Sequence, residues 1–219
     1  MTLRTALRAA LAAAAGAAAC LGAASATTIT LDAATLSSAP VLSGTVDGTR
    51  VTASAATWTY GTWDAASRTG TGAIDLFGPE DAATLTMTRG HGLALRNSPW
   101  DRNHQIDGSG RLDLVVLEFG RSVTLEGLGF GYVDRNDDFV LFAGDTLDDL
   151  VAYSAMDVAS RVSLAVTGRV FGIGALGGND DFKLTAIQFD AAAVPVPAAA
   201  PLFAGALVLA SAARRRRKA

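Results

Sequence analysis

The stretch Trp100-Asp101-Arg102-Asn103-His104-Gln105-Ile106-Asp107 is the most polar in the chain and stands just before its strongest apolar run. Its oxygen-bearing side chains are of the kind a calcium ion takes, at about six to eight hard donors per ion. Asp101, Asn103 and Asp107 are the first candidate ligands, although their spacing matches no EF-hand loop and no Gly-Asp repeat. Trp100 follows Pro99 and is the aromatic expected to stand exposed here, and His104 is one of two imidazoles, the other being His91. Trp100, Asp101, Asn103, His104 and Asp107 together make the candidate ligand loop.

Other chemistries find less support. A Ser-His-Asp hydrolase on the common strand-to-helix turn needs Gly-x-Ser-x-Gly, which is absent; Gly108-Ser109-Gly110 reads as a turn. Acids are plentiful enough for a glycosidase pair, but only three are Glu (Glu80, Glu118, Glu126), and nothing sets two acids across a cleft. The expectation is a non-enzymatic protein, with a secreted hydrolase as an alternative. Sugar-holding modules stack aromatics on the ring, and Trp58, Tyr60, Trp63 and Trp100 could supply such a platform. Strict alternation puts Trp58 and Tyr60 on one face, where they are expected in the core, and Trp63 on the other.

The elements that must position these residues are strands. Residues 27–193 show little helical periodicity and much alternation. Expected strands are Thr28–Leu31, Arg50–Ser54, Thr57–Trp63, Gly72–Leu76, Thr84–Thr88, Leu112–Phe119, Val123–Tyr132, Phe139–Ala143, Val162–Val166, Arg169–Ala175 and Phe182–Phe189. The second half of Leu112–Phe119 is apolar on both faces and reads as covered on both sides. Gly127, Gly129 and Gly131 strip side chains from one face of the next strand, which implies a close backbone approach, a bulge or a bend. Turn chemistry falls at Val46-Asp47-Gly48, Asp107 to Gly110, Ala143-Gly144-Asp145 and Gly177 to Asp180, and Gly120-Arg121 reads as a tight hairpin. Residues 145–160 read as one helical turn or a long loop. Asn136-Asp137-Asp138-Phe139 recurs as Asn179-Asp180-Asp181-Phe182, each a turn whose Phe opens a strand. The fold class is therefore all-β: one antiparallel β-sandwich of the jelly-roll kind, with a barrel or a solenoid as alternatives. No fixed repeat supports the solenoid.

Charge separates this middle from the two ends. Residues 27–193 hold all 21 acids and 11 of the 18 cations, a net charge of −10. Such a surface repels phosphate backbones, so nucleic acid is not an expected partner. A single cysteine, Cys20, excludes an internal disulfide framework and a cysteine zinc site. Residues 1–26 have the parts of a secretory signal helix: Arg4 and Arg8, an apolar run from Leu11 to Leu21, and Ala24-Ser25-Ala26 before Thr27, the expected first mature residue. An acylated Cys20, making a lipoprotein, is the alternative. Without it the mature chain has no thiol, which suits an oxidising compartment.

Residues 194–219 are tripartite. Val194-Pro195-Val196-Pro197-Ala198 is an extended segment, 198–213 is an apolar helix, and Arg214, Arg215, Arg216, Arg217 and Lys218 form a basic stop. Sixteen helical residues span about 24 Å, within reach of a hydrocarbon core of about 30 Å if the flanks snorkel. This tail resembles the PEP-CTERM/VPxPA-CTERM sorting signal of exosortase substrates, with Val196 where many members have Glu or Leu. The resemblance implies export in a Gram-negative bacterium and transient anchoring in the inner membrane. Cleavage by an exosortase-type enzyme near 195–198 then leads to the cell surface or the extracellular matrix, beside exopolysaccharide and biofilm. The middle resembles, less specifically, the β-rich ectodomains of such proteins, and a carbohydrate-binding module is the alternative activity.

Overall fold

The computed structural model describes residues 26–31, 37–78, 81, 83–98, 101 and 105–191. The signal segment up to Ser25 and the tail from Ala192 onward lie outside them, as do Trp100, Asn103 and His104. Among the described residues no helix is long and apolar enough to cross a membrane.

The described residues form thirteen strands, every pairing antiparallel: β1 (Thr27–Thr30), β2 (Ser37–Ala39), β3 (Val41–Val46), β4 (Thr49–Asp64), β5 (Thr69–Leu76), β6 (Thr84–Thr88), β7 (Gly92–Arg96), β8 (Ile106–Asp107), β9 (Leu112–Gly131), β10 (Asp138–Gly144), β11 (Ala152–Asp157), β12 (Arg161–Ala175) and β13 (Asp181–Asp190). One 3₁₀ turn, Leu147–Asp149, interrupts them, so the 145–160 region holds both a helical turn and an extra strand. The all-β antiparallel expectation holds. Asp47 and Gly48, both in left-handed backbone (φ 47° and 71°), make the expected tight turn between β3 and β4.

Six strands close a ring in the order β9–β12–β10–β11–β5–β4, because β4 returns to pair with β9 from Val51↔Phe119 to Trp58↔Leu112. One face of all six gathers a small core: Ala56 and Trp58, Leu114 and Val116, Val140 and Phe142, Tyr153 and Ala155, Val170, with Ile74 packed against it. The opposite face of β4, β9, β10 and β12 forms half of a larger core. Strands β6, β7 and β13 and the second half of β9 supply the rest, including Leu85, Leu93, Leu95, Leu128, Phe182 and Phe189. Two layers thus share one core, as in a sandwich, but one layer is closed on itself, a feature that a two-sheet jelly roll lacks. Closure removes sheet edges that would otherwise invite pairing with other chains.

The long strands explain where alternation misleads. Gly120-Arg121 is no hairpin: β9 runs straight through it, pairing with β4 on one side of the bend and with β13 on the other. Arg121 Nε donates to Thr49 Oγ1 there (2.9 Å). Both Leu125 and Leu128 are buried although their parity differs, since Glu126 is an extra residue against β13, where Gly127 faces Gln188 and Leu125 faces Phe189. The glycines of β9 do mark a close approach. A Cβ at Gly129 would lie 3.0 Å from both Ala186 and Thr185, residues at the bulge of β13.

Candidate functional site

The loop before β9 is organised by an acid that the sequence reading passed over. Asp113 sits one residue into β9, opposite Thr57 of β4, and has no exposed surface. Asn97 Nδ2 donates to its Oδ1 (2.8 Å) and the Asp107 amide to its Oδ2 (3.3 Å). Burial pushes its carboxyl up to about 8, with the charges of Asp107 and Asp101 adding to the shift and the two hydrogen bonds opposing it. A neutral Asp113 needs an acceptor for its own proton, and turning the Asn97 amide over presents one. The alternation of β9 holds a signal for this burial: Asp113 shares one face with Val115, Leu117 and Phe119, all of them buried.

Of the candidate ligand loop, Asp101 and Asp107 are described, and both carboxylates serve the loop itself. Asp107 Oδ1 accepts from the Ser109 amide (2.8 Å), confirming a turn at Gly108-Ser109-Gly110, and Asp101 Oδ2 accepts from the Asn97 amide (3.4 Å). Asp107 is also held above the usual carboxylate range, first by burial. Among the described residues no three His, Cys, Asp or Glu side chains are grouped to hold a metal ion. The calcium set of Asp101, Asn103 and Asp107 therefore has two members committed to amide donors and one outside the described residues.

The repeated Asn-Asp-Asp-Phe segments meet. Asp137 Oδ2 accepts from the Asp134 amide (2.5 Å) and its Oδ1 from the Asp181 amide (3.3 Å), across to the other copy. Reciprocally, Asp180 Oδ2 accepts from the Gly177 amide (2.5 Å) and its Oδ1 from the Asp138 amide (3.2 Å). Asn136 Nδ2 donates to the Asn179 carbonyl (3.0 Å) and Asn179 Nδ2 to the Asn136 carbonyl (3.4 Å). Each carboxylate thus caps its own turn and the neighbouring one, and both phenylalanines, Phe139 and Phe182, are fully buried. The echo is a two-fold clasp closing one end of the fold, as turn chemistry predicted, with an exchange between copies that linear spacing does not reveal.

His91 lies apart from these acids. Its Nδ1 is 2.6 Å from the Tyr132 hydroxyl, and Lys183 Nζ stands 4.7 Å from the Tyr132 ring centroid. Tyr132 itself adopts left-handed backbone (φ 58°).

The aromatic platform is rearranged relative to expectation. Trp58 is 1% exposed, its Nε1 donating to the Ala175 carbonyl (3.0 Å), as expected of a core residue. Tyr60 is not in the core; it is exposed. Strand β4 carries an extra residue against β5, with Tyr60 opposite Gly72 and Trp63 opposite Gly70. That bulge, at Gly61-Thr62, turns Trp63 onto the face of Trp58 and Tyr60 instead of the opposite one. There Trp63 stacks on Tyr153 of β11, with centroids 5.8 Å apart and planes 11° apart, while Trp58 meets Tyr153 edge-on at 5.0 Å. Tyr153 was absent from the sequence-derived candidates. Its hydroxyl is buried with no hydrogen-bond partner among the described residues, a condition costing about 1–3 kcal/mol. Comparisons with protein-family models, curated proteins and solved structures found no match to this chain.

Proposed function

We propose that this chain is an exported, exosortase-sorted surface or extracellular-matrix protein without enzymatic activity. In this reading 1–26 is a signal helix removed after Ala26. The apolar helix 198–213 holds the chain in the inner membrane until cleavage near Val194–Ala198, and the acidic β-domain is the part delivered. The observation that carries the reading is the order Val194-Pro195-Val196-Pro197-Ala198, apolar run, Arg214 to Lys218, in a chain that opens with a signal-like segment. Positive charge after an apolar run keeps that end in the cytoplasm, so the domain before it crosses the membrane.

Mass spectrometry of the mature protein from its native host tests this. Termini at Thr27 and within 195–198 are expected. A chain retaining Arg214 to Lys218 refutes processing, and an acylated Cys20 replaces the signal reading with a lipoprotein.

A second reading, a carbohydrate-binding module, is favoured by one specific observation: the β4 bulge brings the exposed Tyr60 and Trp63 to one face. Aromatic faces with polar neighbours are what a pyranose ring packs against. In that case the partner is exopolysaccharide, and binding without turnover is the expected behaviour.

A further inference from the structure

Residues 27–193 contain one lysine, Lys183, against 21 acids, and the chain's other lysine is Lys218 in the basic tail. A cation in so acidic a domain is expected to find a carboxylate. Lys183 does not: among the described residues it makes no ion pair and no hydrogen bond. Asp181, two places along β13 on the same face, accepts from Gln105 Nε2 instead (2.7 Å). Phe182 and Leu184 belong to the larger core, so Lys183 stands on the outer face of β13. Opposite it on β9 is Gly131, which places no side chain beside it.

What covers Lys183 is an aromatic ring. Strands run in the order β7–β13–β9, with His91 just before β7 and Tyr132 just after β9. The Tyr132 side chain therefore crosses β13 to bring its hydroxyl 2.6 Å from His91 Nδ1, and Lys183 Nζ lies 4.7 Å from the ring centroid. Lys183 is left 9% exposed, while the covering ring is 53% exposed. Tyr132 holds this position in left-handed backbone (φ 58°), a conformation that costs an aromatic residue strain and that clusters at functional sites. Burial holds the Lys183 amine below the usual lysine range. A desolvated amine without a carboxylate partner is the state in which lysine acts as a nucleophile. The −10 of the domain repels anions, so a neutral electrophile is the kind that reaches it.

We propose that Lys183 is a covalent attachment site for neutral aldehydes, the class that includes the reducing end of a saccharide, reached when the Tyr132 ring swings aside. The Lys183 nitrogen attacks the carbonyl carbon and a C–N bond forms, the carbonyl electron pair moving to oxygen. That oxygen takes two protons and leaves as water, nitrogen gives up two protons, and its lone pair closes the imine double bond. One amine and one aldehyde thus yield one imine and one water, with no oxidant or reductant. The hydrogen-bonded Tyr132–His91 pair stands beside the amine as a proton source for the loss of water. This attachment requires neither sorting at the tail nor a sugar stacked on Tyr60 and Trp63.

The test is reductive trapping of the full chain, in an amine-free detergent, with glycolaldehyde and cyanoborohydride between about pH 6 and pH 10. Adducts are located by peptide mass mapping, and an unstructured acetylated peptide with a single lysine, in the same solution, is the reference. Near neutral pH the Lys183 adduct should form severalfold faster than the adduct of the reference, the two rates converging at the alkaline end. Lys183→Arg should remove the adduct from its peptide. Tyr132→Ala lets water onto the ammonium and should bring the pH profile of Lys183 onto that of the reference. A Lys183 that stays unmodified in the folded chain and reacts only in urea overturns the proposal, as does a profile equal to the reference in the parent protein. A Tyr132→Ala profile identical to the parent's overturns the part assigned to the ring.

Discussion

Asp113 offers the sharpest test of the physical reasoning. Its carboxyl has no exposed surface and titrates near 8, against an ordinary value of 3.8. The folded state therefore holds a proton that the unfolded chain releases, and folding stability must fall as pH rises from about 4 to about 8. A shift of this size corresponds to at most about 6 kcal/mol over the whole window, or roughly 1.4 kcal/mol per pH unit in its middle. Asp113→Asn keeps the volume and the buried hydrogen bonds, provided the Asn97 amide turns over, and removes the titration. Urea unfolding at pH 5, 6, 7 and 8 should then show the variant about 1 kcal/mol less stable than the parent at pH 5 and more stable by pH 8. Burial also raises Asp107, Asp138, Asp180 and Asp181, which lowers the stability of both proteins with rising pH in the same direction. The difference between the two curves isolates Asp113. A stability difference that stays constant from pH 5 to pH 8 would refute a proton held on this buried acid.

The remaining expectations concern packing and turns. Trp58→Phe removes buried ring volume inside the strand ring and the hydrogen bond to the Ala175 carbonyl, so chemical denaturation should show a loss of about 2–4 kcal/mol. Asp137→Asn and Asp180→Asn should each cost about 1 kcal/mol, and a double-mutant cycle should give a coupling of at least about 0.5 kcal/mol because each acid caps the other's turn; additive losses would contradict the clasp. Gly108→Ala drives a Cβ to within 1.9 Å of the Gly177 carbonyl and should lower stability by at least about 2 kcal/mol, read as a fall in melting temperature.

Much of this protein was legible in the order of its residues. Alternation located Thr84–Thr88 and the cores of most other strands, the Asp47-Gly48 turn followed from the backbone those residues tolerate, and the glycines of β9 announced a close neighbour. These are local matters, decided by steric preference and by the period of side-chain direction within a few residues. The sorting reading is local too: charge and hydropathy along the two ends carry it without reference to a fold. What lay beyond the linear pattern depends on pairing at a distance. Single extra residues at Glu126 and at Gly61-Thr62 reverse every side chain beyond them, and only the partner strand determines where such a bulge falls. The return of β4 to β9 turned an expected sandwich layer into a closed ring, and the same tertiary packing seated Asp113 out of water and set Tyr153 beneath Trp63. Residue order sets which way a side chain points along its own strand, whereas long-range pairing sets what stands in front of it.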